Sequence, residues 1–233
     1  MSTIAAPPVP QTTSRLSARL SVAFSGLFLL ILVGLHLVKS ELDPSWRMIS
    51  EYEIGRHGWL MQTAFLVLAV STAAAAVSVR RAVVGRAGKV GLVLLAVAAA
   101  GMVLGGLAVS DPITATAQET TTHGSLHGLG AMLGIPAFPV AAGLVARGLS
   151  RGTGWAGPSR TLWFATVGTW LGLAQMVLAM AVLLPANDGA FGPGAPIGLP
   201  NRLLIVSYVA WLLVVTVPAA RTATGRLRTQ GPA

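Results

Sequence analysis

Two histidines in the middle of the chain have a spacing that can do chemistry. His123 and His127 are four residues apart, so on a helix they lie on one face. Two imidazoles so placed can bind one divalent metal such as zinc, and Asp111 could supply a third ligand. The competing interpretation is that the histidines lie where a helix begins and bond to loop carbonyls. The sequence thus predicts a metal site of His123, His127 and Asp111, with that alternative open.

A second set of polar residues could act on a substrate without a metal. The expected acid–base groups are Glu51, Asp111 and His127. The expected substrate-binding groups are His36, Tyr52 and Arg202. Local pairing is the competing interpretation for Glu51, because Arg47 precedes it by four residues. For His36, the alternative is a position in the lipid head-group region.

The composition indicates lipid as the solvent around these residues. Hydrophobic residues make up 54% of the chain and charged residues only 10%, whereas a soluble domain carries about 25% charged residues. Cysteine is absent, which excludes disulfides and thiolate chemistry. The net charge of +9 does not indicate nucleic acid, because the arginines lie in short loops between apolar segments.

Six apolar segments approach or exceed the roughly 20 residues that a helix needs to cross a membrane. They are Leu20–Val38, Gly58–Ser78, Val90–Ser110, Leu126–Leu149, Leu162–Leu184 and Leu203–Ala220. Backbone groups in lipid must be bonded within the segment, so helices are expected. The predicted fold is an all-α polytopic membrane protein, a single six-helix bundle over residues 20–220 that forms three hairpins closed on the outer side.

Charges predict the orientation of the bundle. Twelve of the sixteen cationic residues fall in the termini and in the loops after the second and fourth spans, and the positive-inside rule makes that side cytoplasmic. All seven acids and all four histidines fall on the opposite side. We therefore expect a protein of the plasma (inner) membrane with two cytoplasmic tails. Residues 1–19 are expected to form a disordered tail, and residues 221–233 are expected to form the other.

Two details of local structure are also predicted. Asp43 is a good N-cap and Pro44 a good first residue for a short interfacial helix in the first outer loop. Its apolar face would carry Trp46, Ile49 and Tyr52. Within the fourth span, Pro136 and Pro139 are expected to kink or locally break the helix.

Three stretches resemble a known family. They are Ile49-Ser50-Glu51-Tyr52 followed by Gly58-Trp59-Leu60-Met61, then Asp111-Pro112 followed by Thr122-His123-Gly124-Ser125-Leu126-His127, and finally Asn201-Arg202-Leu203 leading to Trp211. With the six spans, they are similar to the uncharacterised prokaryotic membrane family called domain of unknown function 998. The resemblance implies a six-span fold and no established activity.

Three functions remain open at this point. The first is a non-catalytic protein that binds a lipid or another amphiphile at the outer membrane boundary. The second is an enzyme, metal-assisted or acid–base, acting on a lipid or isoprenoid-like substrate at the outer leaflet. The third is a proton-coupled transporter, which the lack of ionisable residues towards the membrane midplane disfavours. The bilayer is the expected partner, and no nucleic acid is expected.

Overall fold

Six long helices make up most of the structure, a computed structural model that describes residues 12–221. They are α1 Thr12–Val38, α2 Gly58–Val79, α3 Gly85–Leu107, α4 Thr122–Arg151, α5 Ser159–Leu183 and α6 Gly198–Arg221. Each is long and apolar enough to cross a membrane. The described residues form two short 3-10 helices in addition, Ile49–Glu53 and Pro185–Asn187. The prediction of an all-α protein with six transmembrane helices is confirmed.

The helix ends differ from the ends of the apolar segments. α1 begins at Thr12, inside the predicted tail 1–19, and α4 begins at Thr122 and ends at Arg151. Hydropathy locates the part of a helix that contacts lipid, whereas backbone hydrogen bonds continue through flanking polar residues such as Arg15 and Arg19. The remaining parts of the predicted tails, 1–11 and 222–233, lie outside the described residues.

The helices pack in a closed ring, because each contacts the next along the chain and α6 contacts α1. Polar contacts reinforce this packing within the apolar bundle. The hydroxyl of Ser71 on α2 lies 2.9 Å from that of Ser25 on α1 and bonds to the carbonyl of Ser21. α3 and α4 approach most closely through glycines, since a Cβ on Gly101 would overlap the carbonyl oxygen of Gly130.

α4 runs without a break through both prolines, so the predicted local break does not occur. A proline inside a helix removes one backbone hydrogen bond, which neighbouring helices can compensate. The neighbour here is α6, whose Tyr208 hydroxyl donates to the carbonyl of Ile135.

The first outer loop contains a short helix, as predicted, but the helix begins later than Asp43 and is buried rather than interfacial. Asp43 instead closes a turn by accepting a hydrogen bond from the backbone N–H of Ser45, 2.9 Å away, and the helix begins only at Ile49. We call Ile49–Glu53 the loop helix. Ile49 and Tyr52 are buried in the bundle, with exposures of 2% and 1%. Apolar residues that could have faced lipid head groups therefore pack inside the protein.

The loops after α1, α3 and α5, residues 39–57, 108–121 and 184–197, all lie at one end of the bundle. This end carries all seven acidic residues, and we call it the acidic end. His36, in the last turn of α1, and His127, in the first turns of α4, are also near it. Alternation of six spanning helices therefore brings the polar residues of three separate loops to one surface.

Candidate functional site

A cavity of about 360 Å³ opens beneath the loops of the acidic end. Its walls come from the loop helix, the loop 108–121 and helices α2, α3, α4 and α6. The polar side chains that line it include Glu51, Ser110, Asp111, Thr120, His127 and Asn201. The apolar ones include Phe65, Leu68, Met102, Ile135 and Ile205. The volume lies within the range of about 300–1,000 Å³ that is typical of small-molecule sites.

The cavity changes from polar to apolar with depth. His127 lies five residues after the start of α4 and Ile135 lies thirteen, which places Ile135 about 12 Å further along the helix. Tyr208 on α6 closes this inner part, because its hydroxyl donates to the carbonyl of Ile135, 2.7 Å away. A molecule with a polar head and an apolar chain matches this arrangement.

His127 is held in one orientation by three acceptors around a single ring nitrogen. Its Nδ1 lies 3.0 Å from the carbonyl of Ala108, 3.2 Å from that of Gly105 and 3.2 Å from a carboxylate oxygen of Glu53. Carbonyls cannot donate, so Nδ1 must carry the proton. No described residue bonds to Nε2, and the ring lines the cavity. A neutral His127 therefore offers the lone pair of Nε2 there.

Glu53 is the carboxylate behind His127, and its side chain has no exposed surface. Oε2 accepts from the backbone N–H of Ser110, 2.9 Å away, as well as contacting His127. Among the described residues, Oε1 is the only buried polar side-chain atom without a hydrogen-bond partner. Sequence analysis gave Glu53 no role. Its burial follows from the position of the loop helix, which no local pattern revealed.

Glu51, an expected acid–base group, is occupied by structural contacts. Its Oε1 receives a hydrogen bond from Arg47 at 2.6 Å and one from the backbone N–H of Ile113 at 3.1 Å. Its Oε2 accepts from the backbone N–H of Met48 at 3.0 Å. The pairing of Glu51 with Arg47 is confirmed. Glu51 thus ties the loop helix to the loop 108–121 over the cavity.

Asp111 lies in the loop 108–121, and its carboxylate packs against the first turn of α4. Its two carboxylate oxygens accept hydrogen bonds from the backbone N–H and the hydroxyl of Thr121, at 2.8 and 2.9 Å. Thr121 in turn caps the helix by accepting from the backbone N–H of Gly124. A Cβ on Gly124 would overlap the carboxylate. Glycine at this position lets an anion rest at a helix N-terminus, where it is electrostatically favoured.

The three expected substrate-binding residues contact one another, but they do not line the cavity. Nε of Arg202 donates to Nε2 of His36 at 2.8 Å, and its Nη2 donates to the hydroxyl of Tyr52 at 3.0 Å. The carbonyls of Arg47 and Gly198 accept from its Nη1. Nδ1 of His36 donates to the carbonyl of Leu32. We call His36, Tyr52 and Arg202 the arginine cluster; it joins α1, α6 and the loop helix.

The expected metal ligands are not arranged as a metal site. Within residues 12–221, no group of three or more His, Asp or Glu side chains is placed to hold a metal ion. His123 is exposed, His127 bonds to carbonyls of α3, and Asp111 bonds to Thr121. For His127, the geometry matches the alternative of a helix-entry histidine bonded to carbonyls.

Hydrogen bonds and burial shift the pKa values of three groups in the loops of the acidic end. The N–H and hydroxyl of Thr116 lower the pKa of Glu119, and Ser45 does the same for Asp43. Burial lowers the pKa of Lys39, and nearby Glu41 opposes this shift. The Lys39 ammonium donates to the carbonyls of Tyr52 and Ile54. It thereby anchors the end of the loop helix.

A comparison with known families matches residues 22–218 to the model of the family described as protein of unknown function (DUF998). The chain belongs to the DUF998 family. The match covers all six spans, and no activity is established for the family. Comparisons with curated proteins and with solved structures gave no match. For this DUF998 protein, function must therefore be argued from the cavity itself.

Two further residues that contribute to the cavity of this DUF998 protein were not identified as site residues from the sequence. Asn201 accepts a hydrogen bond from the backbone N–H of Ile49 through Oδ1, 3.0 Å away, and its Nδ2 has no partner among the described residues. Tyr208 lies in the middle of an apolar span. A polar residue within such a span is itself a signal of a buried contact, and Tyr208 could have been found on that basis.

Proposed function

We propose that this protein binds a lipid or another amphiphilic molecule in the cavity at its acidic end. The polar head would lie among Asp111, His127 and Asn201, and the chain would extend towards Ile135 and Tyr208. The observation that carries the proposal is the graded lining of the cavity, polar beneath the loops and apolar within the bundle. Ligand sites commonly combine an apolar wall with a few placed polar groups.

Two glycines allow a matched test of binding. Gly128 lines the cavity, and a Cβ added there meets nothing within 4 Å, so Gly128→Leu should fill the space without distorting α4. Gly168 on α5 is similarly open but does not line the cavity. Gly168→Leu is the control for adding a leucine to a helix.

The experiment measures saturable binding of tritiated tetradecanol to purified protein in neutral maltoside micelles. The protein is dialysed to equilibrium against micelles without protein. The probe partitions equally into the detergent on both sides, so the excess on the protein side is the probe bound to protein. We expect wild type and Gly168→Leu to bind equally and Gly128→Leu to lose most of the binding. Equal binding by all three proteins, or none by the wild type, contradicts the proposal.

A second candidate function is acid–base catalysis on an amphiphilic substrate. Its support is the contact of His127 with Glu53, since a carboxylate that orients a histidine is a common feature of general bases. The lipid inventory of cells lacking the gene tests this function. Catalysis requires a lipid that accumulates on deletion and returns to its normal level with the wild-type gene but not with His127→Asn. An unchanged inventory opposes it.

We also propose that the protein is integral to the plasma (inner) membrane and that the acidic end faces away from the cytoplasm, with both termini inside. The asymmetry of the cationic residues supports this orientation. Because the chain lacks cysteine, single cysteines report the orientation directly. A membrane-impermeant maleimide should label Glu119→Cys in intact cells, and should label Thr153→Cys only after the membrane is opened. The reverse pattern would refute the orientation.

A further inference from the structure

Most protons on the hydroxyl groups of the cavity wall are already donated to the protein. The hydroxyl of Ser110 donates to the carbonyl of Ser50, and that of Thr120 donates to the carbonyl of Thr116. The hydroxyl of Tyr208 donates to the carbonyl of Ile135. Each of these oxygens can therefore offer a ligand only its lone pairs.

The other polar groups of the wall are also mainly acceptors. Asp111 presents a carboxylate. The Nδ1 proton of His127 is held by two carbonyls and Glu53, so the ring in its neutral form presents the lone pair of Nε2. Asn201 Nδ2 and the hydroxyl of Ser50 are the lining side-chain donors that no described residue engages. The wall thus offers many acceptors and few donors.

The charged residues of the cavity wall also favour a ligand that donates hydrogen bonds. Among the described residues that line the cavity, none is lysine or arginine. Glu51 is paired with Arg47 at 2.6 Å. The carboxylate of Asp111 has no cation within salt-bridge distance in residues 15–221, and its partners are the two polar groups of Thr121. Arg202 directs its donors to His36, Tyr52 and two backbone carbonyls instead.

We infer that the cavity selects an amphiphile whose head group donates hydrogen bonds and carries no negative charge, and that a primary ammonium fits best. An ammonium has three donors and no acceptor. It can donate to the carboxylate of Asp111 or to Nε2 of a neutral His127, which both line the cavity, and charge-assisted bonds are the stronger ones. A phosphate or carboxylate head would bring further acceptors to a wall that lacks donors. This inference rests on the proposed function, because it assigns the head group for the same site.

Four tritiated probes with one tetradecyl chain test the inference, namely the primary amine, the alcohol, the trimethylammonium and the phosphate. Specific binding is the wild-type binding minus the binding that remains in Gly128→Leu. This subtraction removes the nonspecific attraction of a negatively charged probe to the positively charged surface of the protein. We expect the amine to bind about tenfold more tightly than the trimethylammonium, which has the charge but no donors. The alcohol should bind more tightly than the phosphate.

The outcomes separate the two claims. If no probe shows specific binding, the proposed function fails, and the inference fails with it. If all four bind alike, or if the phosphate binds as tightly as the amine, the cavity binds amphiphiles and the head-group inference is overturned.

Asp111→Asn tests the contribution of the carboxylate, with Asp43→Asn as its control. Asp43 is also at the acidic end and also accepts from a backbone N–H, but it does not line the cavity. Asp111→Asn should lower the ratio of amine to alcohol affinity by about threefold, and Asp43→Asn should leave it unchanged. An unchanged ratio in folded Asp111→Asn overturns the role of Asp111. If this variant does not fold, the four wild-type affinities decide the inference.

Discussion

The hydroxyl of Tyr208 donates a hydrogen bond to the carbonyl of Ile135, the carbonyl that Pro139 leaves without a helical donor. In a continuous helix, the N–H of residue 139 would bond to this oxygen, but proline has none. The ring of Tyr208 also stacks on Phe138, with centroids 4.3 Å apart. A side chain of α6 thus supplies the missing bond and fixes α4 along the inner part of the cavity.

Tyr208→Phe should therefore destabilise the protein through the lost hydrogen bond alone, by about 1 kcal/mol, since the aromatic stack remains. In a Pro139→Ala background the alanine N–H serves the same carbonyl, so Tyr208→Phe should cost less. Unfolding free energies of the four proteins in mixed micelles give the coupling between the two sites. Additive effects would show that the two residues do not share this carbonyl.

Arg202 makes four hydrogen bonds that a lysine cannot reproduce, because its donors form a planar fork and the ammonium is a single point. Arg202→Lys should lower the unfolding free energy by about 2 kcal/mol or more. Arg56→Lys, at an exposed position in the same loop region, should change it by less than about 0.5 kcal/mol. Similar losses in the two variants would contradict a structural role for the arginine cluster.

The glycine at the start of α2 is required by a close approach. A Cβ on Gly58 would overlap the backbone carbonyl of Glu53, so Gly58→Ala must displace the end of the loop helix. We expect a loss of about 1–3 kcal/mol in unfolding free energy, together with weaker binding in the cavity. Gly128→Ala, where a Cβ meets nothing within 4 Å, should be neutral or stabilising. A neutral Gly58→Ala would contradict this close approach.

Features that depend on residues close in sequence could be predicted, and contacts between residues far apart in sequence could not. Spans were found because hydropathy is a local property, and the Arg47–Glu51 pair was found because its residues are four apart on one segment. The bond between His36 and Arg202 joins positions 166 residues apart, so only the packing of α1 against α6 creates it. Glu53 was missed because acids in a loop are usually solvated, and this loop folds into the bundle.

The hydrogen bonds of Glu119 in the loop 108–121 should depend on pH. Two hydrogen bonds from Thr116 lower the pKa of Glu119. Their contribution to folding stability is therefore complete above the unfolded pKa of Glu119, about 4.3. It is lost as the pH falls through the lower pKa of Glu119 in the folded protein. The amide resonance of Thr116 should titrate with a midpoint below about 4.3, and Glu119→Gln should remove that step. A midpoint at or above the ordinary value contradicts the bonds.

Two substitutions of His127 separate its structural nitrogen from the one that lines the cavity. An asparagine amide reaches about as far as Nδ1, so His127→Asn should still donate to the carbonyl of Ala108 and remain within about 1 kcal/mol of wild type. A glutamine amide reaches about as far as Nε2, so His127→Gln removes the Nδ1 donor from two carbonyls and from Glu53. It should lose about 1–3 kcal/mol. Unfolding measurements in mixed micelles compare the two variants.

Binding should show a different order. His127→Asn lacks the Nε2 acceptor and should bind the tetradecyl amine several-fold more weakly than the wild type, although it folds. Any His127→Gln protein that folds should keep more of that affinity, because its amide oxygen can face the cavity. If stability and binding fall together in both variants, the two nitrogens of His127 do not have the separate roles that their contacts indicate.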